Sequence, residues 1–525
     1  MASSATPSDP RPAPPRGAEA VAGLARGGAL AAFLSRQRWF AAKDRAIARV
    51  DVVDAADVEG DRPFVLALID VDGDRYHLPL ALRAAGEPAV APAAREIGPV
   101  GDRVVYDAHW DPRFARWALE AMMTERRVPA AAGVFSYRRA SEAKPLGGED
   151  DGELAAAPLA DEQSNTSVRL GRRFIFKSFR RPRPGANPEL EVSHFLTTRT
   201  SFPHAAGLVG WTDYEPGAGE PSTVALLQPF LENRGDAWKD TLTQLRRLGD
   251  ALVQEPAPGR QQRREHRLRE LGGDLIEDMA LLGTITGELH AALAGDDSLP
   301  AFAPEPATAE DVARWAERVR GDAERFRAEL APHGAAHAEP VRSAMARLRS
   351  ALPRLPQRLA DLGLLLEART WKIRVHGDYH LGQVLRTPGG FAVIDFEGEP
   401  ARPLAERRAK QPALRDVAGM LRSFDYAARA AVAERPPAEA QALGRWVSDW
   451  TRLASSAFVR GYLGVITRSP RPLAPTSPDA LRRACAVFEI DKALYELHYE
   501  LAHRPDWVPI PIAGLTRLLR PKRDE

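Results

Sequence analysis

A short stretch near residue 380 carries polar side chains of the kind that transfer phosphoryl groups. Asp378 follows a His-Gly pair, Gln383 lies five residues later, and Asp395 ends a second apolar run, FAVID. Phosphoryl transfer needs one carboxylate that orients the attacking hydroxyl and accepts its proton, and oxygen ligands that hold Mg²⁺ against the phosphates. We therefore predict that Asp378 is the base and that Gln383 and Asp395 bind Mg²⁺. A surface turn rich in Asp and Gly explains either aspartate alone, but it explains the joint pattern poorly.

Two histidines of this stretch, His376 and His380, are four residues apart, which is the spacing of zinc-binding histidines on a helix. Gly377 and the flanking β-favouring runs KIRV and FAVID argue against a helix here. We expect His376 to support the loop through hydrogen bonds rather than to bind a metal ion.

This segment resembles the catalytic loop of aminoglycoside phosphotransferases and, more distantly, that of protein kinases. Its sequence, HGDYHLGQVL followed by VIDFEGEP, is most similar to the maltokinase branch. Other segments similar to maltokinases are SRQRWFAAKDR, EQSNTSV, RPGANPELE, LRDVAGMLRSFDYAA and DKALYELHYELAHRPDWVPIP. Together they sample almost the whole chain after residue 30.

The order of strand-like and helical patterns divides the chain into a small α+β region at 27–115, a β-rich region at 116–233 and a helical region at 234–525. The resemblance implies that these regions form an α+β, bilobal protein-kinase-like fold. They would be the N-terminal cap subdomain, the β-rich intermediate subdomain and the mostly helical C-lobe, with ATP in the cleft between the latter two. Residues 1–26, which begin rich in Pro, Ala and Ser, are expected to be a disordered leader.

The resemblance also implies an activity, with ATP and Mg²⁺ as cofactors. The γ-phosphoryl group of ATP would pass to the anomeric hydroxyl of maltose and give maltose 1-phosphate for α-glucan synthesis. A trehalose synthase, which maltokinases often accompany, is a candidate partner.

A lysine in the strand FIFKSF, Lys177, is suited to pair with the α- and β-phosphates of ATP. A helix that begins at Asn187-Pro188 carries Glu191, which we expect to hold this lysine in place. Glu189 is the competing partner.

The polar segment before that strand contains no glycine, unlike the glycine-rich phosphate loops of other kinases. Backbone N–H groups and hydroxyls there could still contact phosphates, and an ordinary polar strand turn is the alternative. The residues that we expect to bind the nucleotide, besides Lys177 and Glu191, are Ser164, Asn165, Thr166 and Ser167.

Three further acidic residues have roles that the resemblance suggests. DFE replaces the kinase DFG, so Glu397 or Glu399 could contact metal or sugar, and the sequence does not decide between them. Asp416, near the start of the helical run RDVAGMLRSF, is expected to hold the backbone of the catalytic loop.

Sugar recognition needs carboxylates for hydroxyl groups and aromatic rings for the apolar faces of the sugar. The helical run FEIDKALYELHYE offers Tyr495 and Tyr499 on one face and Glu496 and Glu500 on the next. A core aromatic stripe beside a solvated acidic face is the alternative.

Composition limits the remaining possibilities. The 525 residues carry a formal net charge of +1, which gives no overall field for nucleic acid or for an anionic membrane. The single cysteine, Cys485, cannot form an intramolecular disulfide, and no run of about 20 apolar residues is present. We therefore expect a cytoplasmic enzyme that binds neither nucleic acid nor membrane.

Two alternative functions remain open. The first is a kinase of another sugar or amino sugar, such as glucosamine, on the same scaffold; a cationic amine would then need an acidic pocket near Asp378. The second is a non-catalytic pseudokinase that binds another protein, and the presence of Lys177, Asp378, Gln383 and Asp395 argues against it.

Overall fold

The computed structural model describes residues 16–41, 45–59, 63–140, 154–159, 165–254, 260–333, 339 and 341–520. The chain forms two compact units. The first consists of Met1–Thr198 and Ala206–Leu231, and the second of Arg199–Ala205 and Glu232–Glu525.

The first unit combines antiparallel sheets with a few helices. The last of these helices ends at Arg199, one residue after Thr198. Its elements are α1 (Arg16–Arg26), α2 (Ala29–Leu34), β1 (Val50–Val58), β2 (Phe64–Val71), β3 (Asp74–Ala84), β4 (Glu96–Val100), β5 (Arg103–Asp107), α3 (Pro112–Met123), β6 (Arg127–Pro129), β7 (Gly133–Arg139), β8 (Ala156–Pro158), β9 (Asn165–Leu170), β10 (Phe174–Phe179), α4 (Pro188–Arg199), β11 (Gly210–Pro216) and β12 (Ser222–Pro229).

The second unit is mostly helical. Its elements are α5 (Ala237–Val253), α6 (Gln261–Leu293), β13 (Glu305–Pro306), α7 (Ala309–His333), α8 (Val341–Ala351), α9 (Leu355–Leu359), α10 (Gly363–Glu367), β14 (Trp371–Ile373), β15 (Val384–Thr387), β16 (Gly390–Val393), α11 (Leu404–Arg408), β17 (Gln411–Pro412), α12 (Leu414–Ala433), α13 (Pro437–Ile466), α14 (Pro478–His503) and α15 (Pro509–Leu518).

A five-stranded antiparallel sheet in the order β1-β2-β3-β5-β4 lies in the N-terminal region. Asp72 and Gly73 turn the chain between β2 and β3, and both have positive φ angles of 53° and 91°. Positive φ at both central positions matches the twist of the flanking strands, which is why Asp-Gly is common in such hairpins. The Asp-Gly pair between the strand-favouring runs FVLALIDV and DRYHLPLAL therefore predicts this hairpin from the sequence, and the structure has it.

The expectation of a disordered leader over residues 1–26 is wrong for its second half, because residues 16–26 form helix α1. Val21 and Leu24 are buried in the same hydrophobic core as the inner face of the five-stranded sheet. The apolar residues spaced along one side of this short helix supply the burial that offsets its ordering entropy. The remainder of the expected leader lies outside the described residues.

A seven-stranded sheet, in the order β6-β7-β11-β12-β10-β9-β8, contains the other strands of the first unit. One hydrophobic core contains both Leu66 of the five-stranded sheet and Phe176 of the seven-stranded sheet. The regions expected to be separate cap and intermediate subdomains therefore belong to one compact unit, because apolar side chains from both sheets are buried together.

Helices α6 and α13 pack closely in the second unit. A Cβ atom at Gly461 would collide with the carbonyl oxygen of Ala280, and one at Gly283 would collide with that of Phe458. Glycine at these positions lets the two backbones approach more closely than any side chain would permit. Among the described helices, none has both the length and the apolar character needed to cross a lipid bilayer.

Candidate active site

The segment with the conspicuous polar residues follows strand β14 in the second unit. Residues 374–383, which we call the aspartate loop, end in a short 3₁₀ turn, and the hairpin of β15 and β16 comes next. The backbone N–H of Ile394 donates to the carbonyl oxygen of Gln383 (3.0 Å), and His376 Nε2 donates to the carbonyl oxygen of Ile394 (2.8 Å). Asp395, the residue after Ile394, is thus held beside the aspartate loop, and His376 supports the loop as expected.

Asp416 on α12 binds the backbone of the aspartate loop. Its two carboxylate oxygens accept hydrogen bonds from the N–H groups of His376 (2.8 Å) and Gly377 (2.9 Å). His290 Nε2 lies 3.1 Å from the same carboxylate, and His290 Nδ1 lies 3.0 Å from the hydroxyl of Tyr462. Burial would raise the pKa of Asp416, but the hydrogen bond and charge of His290 outweigh burial and lower this pKa. The contact expected of Asp416 is present.

The carboxylate of Asp378 is held by a lysine that the sequence analysis did not identify. Lys492 Nζ on α14 donates to Asp378 Oδ1 (2.8 Å) and also to Glu399 Oε1 (2.8 Å). Burial would raise the pKa of Asp378, but the charge and hydrogen bond of Lys492, together with the charges of His380 and His376, outweigh burial and lower this pKa to about 2. Asp378 is therefore an anion at neutral pH. The signal for Lys492 was its position three residues before Tyr495, on the same face of α14.

The candidate metal ligands lie together at the open end of the β15–β16 hairpin. Gln383 directly precedes β15, and Asp395 follows β16 by one residue. Carboxylate oxygens of Asp395 and Glu397 lie within 4.8 Å of each other. Because amide and carboxylate oxygens are the ligands that Mg²⁺ prefers, the chemistry of this donor set fits the ion.

The backbone of Asp395 has a φ of +62°, one of the few positive values at a residue other than glycine in the described chain. Aspartate tolerates this left-handed region better than most residues, but the conformation still costs energy. Strain of this kind is retained where the surrounding structure over-determines it, as the two hydrogen bonds to Ile394 do here. A glycine follows at Gly398, with a φ of +70°.

The structure gives different surroundings to Glu397 and Glu399, the two glutamates that the sequence leaves as alternatives. Glu399 is buried, and its two oxygens are bound by Lys492 and by Arg402. Glu397 is half-buried and is the carboxylate close to Asp395. Each oxygen of Glu399 therefore already has a cationic partner, and Glu397 is the carboxylate that lies beside Asp395.

Lys177 in the first unit forms an ion pair with a different glutamate from the one expected. Its Nζ lies 2.7 Å from Glu189 Oε2, and both side chains are buried, with 6% and 1% exposed. The expectation that Glu191 holds Lys177 is thus corrected in favour of the competing partner, Glu189. Residues two apart on a helix point about 200° apart, so the face of α4 that presents Glu189 cannot also present Glu191.

The expected phosphate-binding segment is only partly described. Asn165, Thr166 and Ser167 lie on strand β9 rather than in a loop, and Ser167 pairs with Lys177 in the β9–β10 register. Thr166 Oγ1 accepts a hydrogen bond from Arg180 (2.7 Å). Ser164 lies outside the described residues.

The four sugar-binding candidates on α14 have different surroundings. The ring centroid of Tyr495 lies 4.9 Å from Lys492 Nζ, and this lysine binds Asp378. Glu496 accepts two hydrogen bonds from the buried guanidinium of Arg422, at 3.1 and 2.7 Å. Burial raises the pKa of Glu496, and the charge of Arg422 opposes this effect.

The second pair lies further along the helix. Tyr499 is exposed and stacks on His503, with ring centroids 4.5 Å apart. Glu500 is buried and binds Arg504 (2.7 Å) and the hydroxyl of Tyr426 (3.2 Å). Only Tyr495 is shown in contact with the Lys492 group that binds Asp378.

Two family models match this chain. The maltokinase N-terminal cap domain matches residues 33–111, and the phosphotransferase enzyme family matches residues 155–455. A glucosamine kinase from Streptacidiphilus jiangxiensis is 30% identical over 382 residues, which cover 69% of this chain and 75% of that protein.

The fold is similar to that of solved glucosamine kinases. One of these structures matches 93% of this chain and 97% of its own, with a TM-score of 0.62 and 25% identity. Another, a complex with glucosamine, ADP and inorganic phosphate, has a TM-score of 0.59 at 24% identity and covers 95% of this chain and 99% of its own.

These matches confirm the predicted class of fold, a mixture of helix and sheet of the kinase-like type with an N-terminal cap. Because one family model covers more than half of its residues, this chain belongs to the phosphotransferase enzyme family, with the cap domain of maltokinases at its N-terminus.

Proposed function

We propose that this chain is an ATP-dependent sugar kinase that works with Mg²⁺. The observation that carries the proposal is the pair of hydrogen bonds between the backbone of Ile394 and the aspartate loop, which hold Asp395 next to the loop that bears Asp378 and Gln383. An ionised carboxylate and a set of oxygen ligands are the two requirements of phosphoryl transfer.

Asp378 would orient the sugar hydroxyl and accept its proton. With a pKa of about 2 it is a weak base, which suits a loose transition state in which the hydroxyl loses its proton late. Its contribution is therefore mainly to position the hydroxyl, as a fixed anion that needs no reorganisation when the reaction occurs.

Gln383 and Asp395 would hold Mg²⁺, and Glu397 is a third candidate ligand. When bound, the ion would neutralise charge on the phosphate oxygens. Lys177, oriented by Glu189, would bind the phosphates of ATP. Asn165, Thr166 and Ser167 remain candidate nucleotide contacts.

Two sugars are supported as acceptors, and we place glucosamine first. A relative with this activity in its name is 30% identical, and a glucosamine kinase structure matches 93% of this chain. The unmatched part of the chain is smaller than the cap match at 33–111, so that structure must share part of the cap. The cap alone therefore does not favour maltose over glucosamine.

Maltose is the second candidate, with transfer to its anomeric hydroxyl. It is supported by the match to the maltokinase cap and by the resemblance of the α14 segment to maltokinases. Three further statements about this chain remain predictions from the sequence: a role in α-glucan synthesis, an interaction with trehalose synthase and a cytoplasmic location.

A screen of purified protein tests the proposal. The chain is incubated with Mg-ATP and, separately, with glucosamine, maltose, glucose, trehalose and an aminoglycoside, and ADP release is measured. NMR of the product then identifies the phosphorylated hydroxyl. Sugar-dependent ADP release supports the proposal. Binding of Mg-ATP without transfer to any sugar would contradict it, and no binding of Mg-ATP would favour a pseudokinase.

A further inference from the structure

An ion-pair chain connects the proposed base with the interior of the second unit. Lys492 Nζ bridges Asp378 and Glu399, and Glu399 is bound in turn by Arg402. The lysine side chain is 16% exposed, and the glutamate side chain is 5% exposed. Lys492 thus lies between a carboxylate that faces the site and a carboxylate that is closed off from it.

We propose that Lys492 and Glu399, which we call the Lys492–Glu399 clamp, are positioning residues that fix the carboxylate of Asp378 in one orientation for the sugar hydroxyl. The proposal rests on the proposed kinase function and adds two residues to its machinery. Neither residue needs to touch substrate or metal for this role.

The geometry around Asp378 explains how the clamp would act. Lys492 binds only Oδ1, so the second oxygen, Oδ2, faces away from the ammonium group. His380 Nε2 is 4.0 Å from Oδ2, which is too long for a hydrogen bond. Because one oxygen is anchored, rotation of the carboxylate is restricted and Oδ2 stays available to a hydroxyl group.

Both oxygens of Glu399 have a cationic partner. One of its oxygens binds Lys492, and the other binds Arg402. A buried ammonium group needs a compensating charge, because a lysine taken out of water without one tends to lose its proton. Glu399 supplies that charge, so Lys492 remains a cation and Asp378 keeps a fixed partner.

A second layer of charges holds Glu399 and Arg402. Asp491, the neighbour of Lys492 on α14, binds Arg318 of α7 (2.6 Å) and Arg415 of α12 (2.9 Å). Arg402 lies 3.9 Å from the same aspartate. The side chains behind the clamp therefore come from two further helices, which limits its freedom to move.

Other titratable groups face the clamp and must be kept constant in any test. His376 and His380 lie on the side of Asp378, and Tyr495 and Glu496 lie on α14. None of these residues is changed in the variants proposed below.

The test compares Lys492→Met with Lys410→Met. Lys410 is a matched control, because its side chain is 11% exposed, it binds Glu305 and a carbonyl oxygen, and it lies outside the clamp. With the sugar found in the screen, we expect Lys492→Met to lower kcat by roughly 100-fold, the cost of a misplaced reacting group, with KM for ATP unchanged. Lys410→Met should keep the wild-type kcat.

Two conservative variants separate positioning from a general loss of packing. Lys492→Arg should recover part of kcat, since a guanidinium group can bridge two carboxylates. Glu399→Gln should lower kcat less than Lys492→Met, because Asp378 keeps its lysine. If Lys492→Met does not fold, the Lys492→Met/Glu399→Gln pair takes its place, because it removes both charges of the clamp.

A crystal structure of the variant gives a readout that does not depend on turnover. Asp378 should occupy one orientation in the wild type and several in Lys492→Met. A single wild-type orientation in the variant, or an unchanged kcat, would overturn the clamp while leaving the kinase proposal intact. A wild-type protein that phosphorylates no sugar would instead overturn the proposed function, and the crystallographic comparison would still decide the clamp.

Discussion

The aspartate loop and helix α14 both supply candidate site residues, but the two regions hold their side chains in different ways. In the loop, the positions are fixed by short-range backbone contacts: Ile394 binds the loop at both Gln383 and His376. On α14, Glu496 and Glu500 are bound by side chains from other helices or from the helix end.

The difference shows what kind of pattern a sequence can carry. A loop that returns to itself through a hairpin keeps its chemistry within about 20 residues, so spacing alone suggests which groups meet. A helix presents several faces, and the partners of each face come from distant parts of the chain. Lys492 and Asp378, for example, are 114 positions apart.

The largest effect on turnover should come from a substitution in the aspartate loop. Asp378→Asn removes the carboxylate that would accept the hydroxyl proton, so we expect kcat to fall by roughly 10²–10⁴-fold. Binding of Mg-ATP, measured by calorimetry, should be nearly unchanged. Near-normal turnover in this variant would show that the loop does not supply the base.

A substitution of Asp416 tests whether its hydrogen bonds to the backbone of the aspartate loop determine the geometry of that loop. Asp416→Ala leaves the backbone N–H groups of His376 and Gly377, and the Nε2 atom of His290, without their acceptor. Breaking such a buried network should lower the free energy of unfolding by about 3–5 kcal/mol. Denaturant unfolding measures this loss, and an unchanged stability would mean that the loop does not depend on α12.

Helix α4 allows the same comparison between two adjacent acidic positions. Glu189→Gln leaves the buried ammonium group of Lys177 without its ion-pair partner, so stability should fall by about 3–5 kcal/mol and KM for ATP should rise. Glu191→Gln is the matched control, because Glu191 is half-buried on the same helix. It should have the smaller effect on stability and on the KM for ATP. Equal effects would restore the partner first expected from the sequence.

On α14, two tyrosines four residues apart should behave differently. Tyr495→Phe removes a hydroxyl near the proposed base, and loss of one hydrogen bond should raise KM for the sugar by about 3- to 10-fold. Tyr499→Phe, at an exposed position stacked on His503, should leave the sugar KM unchanged. The reverse order would place the sugar further along the helix.

The smallest effect concerns pH. Because Lys492, His380 and His376 together outweigh the effect of burial and lower the pKa of Asp378 to about 2, this carboxylate is ionised from pH 4 upward and should add no inflection to kcat/KM between pH 5 and 8. Its contribution to stability is present above its unfolded pKa of about 3.9 and is lost as the pH falls through about 2. An acidic limb that shifts with Asp378 variants near pH 6 would contradict the ion pair.

The fold could be read from the sequence where local chemistry dictates it. Asp72-Gly73 marked a hairpin, and Asn187 does cap α4, since its side chain accepts from the N–H groups of Glu189 and Leu190. Helix α1 was missed because its few apolar residues follow a segment rich in proline, and only burial against the sheet stabilises it.

The site was predictable to a similar degree. Asp378, Gln383 and Asp395 are candidates that their spacing suggests, since they lie on one loop and the hairpin that follows it, and Asp416 is a candidate that the resemblance suggests. The choice between Glu189 and Glu191 depends on the rotation of one helix, and that between Glu397 and Glu399 depends on cations from other segments. The spacing of residues in one sequence predicts neither the rotation of a helix nor the partners that come from distant segments.

The position of Lys492 has a practical consequence for anyone who trims this chain. The phosphotransferase match ends at residue 455, before α14 begins. A fragment cut at that boundary would keep every residue of the aspartate loop and still lack the cation that neutralises it. Shortened versions of this protein should therefore be judged by whether they retain the C-terminal helices, and not by whether they retain the recognisable motif.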